Sequence, residues 1–110
     1  MTLGELLQYL ESHTDYDILD GSPADTVAKA KAGDHKNDHA AELISTALEK
    51  LGINGADDII ERVPFVNALA PLRLKYMADD APVEGFRFVE KVIATTDAAF
   101  NEEVLTQKGK

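Results

Sequence analysis

Apolar residues along this chain recur at intervals of three and four, the period of a helix with one buried face, and never settle into the alternation of a strand. Leu3, Leu6, Leu7 and Leu10 mark one side of a first helix ending near Ser12, and Thr2 with Glu5 stands at the spacing of a capping box. The segment TDYDILDGS is rich in turn formers. Ser22 and Pro23 then read as cap and first residue of a short alanine-rich helix, with Asp25 third, and Gly33 ends it. A third helix, capped by Asp34 or Asn37, carries Ala40, Leu43, Ile44, Ala47, Leu48 and Leu51 at helical spacing and stops at Gly52. After GINGA, Asp57 and Asp58 suit the first turn of a brief helix through Ile59, Ile60 and Val63, where they would complement its dipole; Pro64 ends or bends it. PFVNALAPLRLKYMADD is apolar on most sides, and Pro71 should kink it or start a new turn. Pro82 opens a long helix to about Leu105, with Phe86, Val89, Val92, Ile93, Phe100 and Val104 on a broad apolar face, and the tail QKGK is expected to fray.

These elements predict an all-α fold: a compact helical bundle of five to six helices, two or three of them short, in one domain spanning residues 1–110. The chain contains no internal repeat, low-complexity tract or linker that would divide it. A segment apolar nearly all round is either central to the core or covered by another subunit, so the stretch from Phe65 to Met77 admits a homodimer and a buried central hairpin equally.

Composition narrows the function classes. A chain that is 45% hydrophobic and 28% charged is too apolar to stay disordered. The absence of cysteine removes disulfides, thiolate metal sites and cysteine nucleophiles. No apolar run approaches the roughly 20 residues of a membrane span, and MTLGELLQYLESH lacks the basic start of a signal peptide, so a cytoplasmic protein is expected. The formal charge is −9, and no Lys or Arg precedes Lys29, whereas Glu5, Glu11, Asp15, Asp17, Asp20 and Asp25 all do. Such a field repels phosphates, which disfavours direct nucleic-acid binding and suits a basic protein partner.

The stretch GDHKNDHAAELI is where metal chemistry would be sought. On a continuous helix His35, His39 and Glu42 fall within about 60° of one another, beside Asp38. The leucine stripe of the same helix lies roughly opposite, about 150° away, so these side chains are expected to face water rather than converge on an ion. Lys36 also stands where a catalytic HExxH motif has glutamate, and nothing in the sequence brings His13 near. His35, His39 and Glu42 are therefore weak metal candidates, and no cofactor is expected. DYDILDGSPAD has the look of a calcium loop, but counted from Asp15 its glycine falls one place late and Thr26 replaces the closing glutamate. The Asp-Ser pair on which an acyl carrier protein mounts phosphopantetheine is likewise absent, with Gly21 before Ser22 and Pro23 after it. There is no nucleophile elbow and no phosphate-binding glycine loop, and adjacent carboxylates such as Asp79/Asp80 point about 100° apart on a helix.

Two readings of function remain. The first is a small acidic non-enzymatic protein-interaction module, with Asp15, Asp17, Asp20 and Asp25 supplying charge and Phe65, Leu69, Tyr76, Phe86 and Phe88 supplying apolar contact. Phe88 is singled out because it lies about 100° or more from Phe86 and Val89 round the last helix; core packing is the competing expectation for it. The alternative is an acidic decoy that mimics nucleic acid and inhibits a nucleic-acid-binding protein, of the kind phages and mobile elements encode.

Overall fold

Residues 1–108 are described by a computed structural model, with side chains described as far as Glu103. Among them the chain forms six helices: α1 (Leu3–His13), α2 (Pro23–Ala32), α3 (Asp38–Leu51), α4 (Arg62–Ala68), α5 (Ala70–Tyr76) and α6 (Val83–Lys108). The all-α expectation holds, with α4 and α5 as the shortest elements. The side chain of Val104 and residues 109–110 of the tail lie outside the described residues. No helix among the described residues is long and apolar enough to cross a membrane.

Most helix ends follow from their local sequence. Thr2 Oγ1 accepts from the Glu5 amide while Glu5 Oε1 accepts from the Thr2 amide at 2.8 Å, completing the capping box of α1. These hydrogen bonds hold the Glu5 carboxyl below its ordinary pKa. Ser22 caps α2, and Gly33 closes it in the left-handed conformation at φ 77°. Asn37, not Asp34, caps α3 by accepting from the His39 and Ala40 amides. Pro71 starts a new helix, at the second position of α5, where its missing amide costs no bond.

The segment after α3 departs from expectation. Residues 57–60 are not helical. Ile59 is bridged antiparallel to Thr2, and the carbonyls of Ala56 and Asp58 serve amides that a helix N-terminus leaves unpaired. Leu3 N donates to Asp58 O at 3.0 Å and Gly4 N to Ala56 O at 2.8 Å. Gly4 permits this approach, since a Cβ there would meet Pro23 Cβ at 3.1 Å and Ala56 Cβ at 3.2 Å. Asp58 is accordingly no dipole complement: its carboxylate accepts from the Asn54 and Gly55 amides at 2.7 and 3.0 Å, which lowers its pKa and pins the turn. Pro64 does not end a helix either; it sits in the first turn of α4, the part of a helix that needs no amide donor.

The core forms where α1, α4 and α5 pack on α6, with α3 between α4 and α2. It is filled by Leu3, Leu6, Leu7 and Leu10 of α1, Leu43, Ile44 and Leu48 of α3, Phe65, Leu69 and Leu72 around α4 and α5, and Phe88, Val89 and Val92 of α6. The apolar stretch from Phe65 to Met77 thus divides: Phe65 and Leu69 are fully buried, whereas Leu74 and Met77 are left in solvent. On α6 the buried stripe runs through Gly85, Phe88, Val92, Thr95, Thr96 and Ala99, with Val89 and Phe100 flanking.

Candidate functional site

The histidine-bearing stretch is split by the start of α3, which removes the premise that His35 and His39 share a helix face. His35 lies ahead of the helix and is buried, contrary to the expectation that it faces water. Its Nδ1 accepts from the Asn37 amide at 2.9 Å, so the proton is assigned to Nε2, which donates to the Ile18 carbonyl at 2.9 Å. Asn37 Nδ2 donates to Asp17 O at 3.1 Å, and the Lys36 amide donates to Asp20 Oδ2 at 3.0 Å. The three consecutive residues therefore latch the loop between α1 and α2 onto the entry of α3. Both ring nitrogens of His35 are used in this latch. Among the described residues no group of three or more His, Asp or Glu side chains is arranged to hold a metal ion.

His39 and Glu42 belong to a different cluster. They lie one turn apart on α3 and meet Tyr76, the last residue of α5. The Tyr76 hydroxyl donates to Glu42 Oε1 and stands 3.4 Å from His39 Nδ1, while Lys75 Nζ pairs with Glu42 Oε2. Burial acts to raise the Glu42 pKa, but donation from Lys75 and Tyr76 outweighs it and holds the carboxyl below its usual range. Burial, joined by the facing carboxylate, pushes the Tyr76 phenol up to about 12. The proton stays on tyrosine and the charge on glutamate, so the arrangement fastens α5 to α3 and is poorly matched to proton transfer near neutral pH. The ring itself is seated on α6 at Gly85, where a Cβ would come within 2.3 Å of it.

A chain of rings continues from this clasp. The His39 and Tyr76 centroids are 5.7 Å apart, His39 and Phe88 5.9 Å, and Phe88 and Tyr16 4.9 Å, the last pair edge to face. Phe88 is therefore a core residue whose neighbours come from α3 and from the loop before α2. Phe65, Leu69 and Phe88, all expected to contact a partner, are enclosed by the chain's own helices. Of the acidic candidates, Asp15, Asp17 and Asp25 are exposed. Asp20 is engaged within the chain, its carboxylate 3.0 Å from Lys29 Nζ and held below its ordinary pKa first by that contact and then by the Lys36 amide.

Tyr76 and Phe86 alone among the apolar candidates reach the surface, and they do so together. With Met77, Ala78, Asp79, Ala81 and Val83 they line an open depression of about 460 Å³ at the corner between α5 and α6. Met77 and Val83 are 55% and 56% exposed, and Leu74, one helical turn before Met77, is 69% exposed. Sequence periodicity missed Leu74 and Met77 because it assigned them to a uniformly apolar segment, and Val83 because it falls outside the apolar face drawn for the last helix. The available signal was Gly85: glycine in the first turn of a long helix, where a helix former is favoured, marks a place that another group approaches closely.

No family model, curated protein or solved structure matches the chain.

Proposed function

We propose that this protein is a non-enzymatic interaction module that receives a protein partner at the corner between α5 and α6. The observation that carries the reading is the exposure of Met77 and Val83 in a depression that Tyr76 and Phe86 also line, with Leu74 exposed one helical turn before Met77. Enclosing a side chain of this size is worth about 1.5–3 kcal/mol, and the same chain encloses Phe65 and Leu69 completely. Exposed Met77 and Val83 in one depression with Tyr76 and Phe86 form the kind of patch that a partner covers. Tyr76 and Phe86 are retained from the residues expected for such a face; Leu74, Met77 and Val83 replace Phe65, Leu69 and Phe88.

The test is a comparison of the parent with Met77→Asp/Val83→Asp, after matched melting curves establish that both are folded. Each protein is immobilised and exposed to host lysate, and retained proteins are identified and then titrated in purified form. A partner that binds the parent and loses at least about tenfold in affinity for the variant supports the reading, because a central apolar contact is worth that much or more. Equal binding by the two proteins, or no specific partner for either, refutes it.

A further inference from the structure

Resting on the proposal that the α5–α6 corner is a docking face, we infer that its occupant is a cationic amphipathic segment of a protein. Its apolar side would enter the depression at Met77, Val83 and Phe86, with its lysines and arginines over the surrounding carboxylates. The rim carries Asp79 and Asp80 in the turn and Glu84 in the first turn of α6, all exposed. The nearby bases are largely occupied: Lys75 pairs with Glu42 and Arg73 with Glu90, which leaves Arg87 as the opposing charge on the adjacent turn. An apolar floor bordered by the carboxylates of Asp79, Asp80 and Glu84 complements a helix with leucines on one face and lysines beside them. Asp79, Asp80 and Glu84 also favour the N-terminus of α6, a role that would show in stability and not in binding.

The probe is a synthetic helical peptide of leucine and lysine with all leucines on one face, titrated into isotope-labelled protein and followed by amide chemical shifts. Two matched peptides accompany it, one with glutamate for lysine and one with the leucine and lysine order scrambled. Saturable shifts confined to residues 74–88 are expected with the first peptide only. Asp79→Asn/Asp80→Asn/Glu84→Gln should weaken that binding about tenfold, whereas the exposed, distant set Glu49→Gln/Asp57→Asn/Glu61→Gln should change it less than about twofold. Comparable binding of the scrambled peptide, or equal sensitivity to the distant set, reduces the effect to non-specific charge attraction and overturns the inference. So does equal binding of the glutamate peptide, or corner shifts that grow with protein concentration alone, which would make the occupant a second copy. In those cases docking itself survives if Met77→Asp/Val83→Asp still loses the native partner. If that variant keeps the partner, the docking reading fails as well.

Discussion

Gly85→Ala should destabilise this protein, against the usual effect of removing glycine from a helix. Alanine within a helix ordinarily gains about 0.5–1 kcal/mol over glycine, and Gly85 is the third residue of α6. Here the new Cβ would lie 2.3 Å from Cδ1 and Cε1 of Tyr76 and 2.8 Å from its Cζ, so the ring and the helix cannot both keep their places. The least costly escape is for the half-buried ring to swing toward solvent. That forfeits its hydrogen bond to the Glu42 carboxylate, worth about 1.5 kcal/mol at a charged acceptor, and about 1 kcal/mol of ring burial. Set against the helix gain, the net loss is about 1.5–2 kcal/mol, a fall in melting temperature of roughly 5–15 °C for a domain of this size. Urea denaturation of a double-mutant cycle checks the cause. With Tyr76→Ala already in place there is no ring to displace, and Gly85→Ala should become neutral or stabilising. A higher midpoint for Gly85→Ala in both backgrounds would mean that Tyr76 does not rest on Gly85, and the geometry of the α5–α6 corner would fall with it.

His35→Ala removes the acceptor for the Asn37 amide and the donor for the Ile18 carbonyl in a buried setting, so a loss of about 2–3 kcal/mol is expected. Faster hydrogen exchange at the Asn37 amide should accompany it, and a loss below about 0.5 kcal/mol would show that the latch is not needed. Thr96 Oγ1 is buried with no hydrogen-bond partner among the described residues; Thr96→Val should therefore stabilise by about 1 kcal/mol in urea, and a destabilised variant would reveal a hidden partner for the hydroxyl. The Tyr76 phenol, raised from 10.0 to about 12, favours the fold fully below pH 10 and loses that contribution as the pH climbs through 12. Two units correspond to at most about 2.7 kcal/mol, and solvent screening at this half-exposed site reduces that to about 1 kcal/mol. Tyr9 is shifted in the same direction by Glu102, so the alkaline loss should be read as the difference between the parent and Tyr76→Phe; equal losses would refute the assignment to Tyr76.

Much of the fold was legible because helix patterns and caps are local. The capping box at Thr2, the Ser22-Pro23 start of α2 and the left-handed glycines at 33 and 52 depend on neighbours within one turn, and each is found where its residues place it. Two failures have a common physical origin. Residues 57–60 carry acids suited to a helix start, yet they form a turn and a single bridge because α1 has amides to satisfy, a demand that comes from 50 or more residues away along the chain. His35 was placed on the wet face of α3 by continuing the helix backward past Asn37; once Asn37 is the cap, a wheel drawn through His35 has no meaning, and the ring turns inward to meet Ile18.

The exchange of roles between Phe86 and Phe88 shows why the candidate site was harder to see than the fold. Counting only large apolar residues centres the face of α6 near Phe86 and Val89. Including Gly85, Thr95, Thr96 and Ala99, small enough for neighbouring helices to pack closely, turns the face toward Phe88 and leaves Phe86 at its margin. A surface apolar side chain is therefore identified only after the core has been centred correctly, and the residues that centre it here are not the bulky ones. Gly85 is informative for the same reason. It contributes no side chain to any pattern, but its place in α6 goes against helix propensity, and the ring of Tyr76, a residue that also lines the open corner, takes the space a Cβ would need. The proposed docking face is read most directly from the residue that departs from its local rule, and not from the charge excess that dominates the composition.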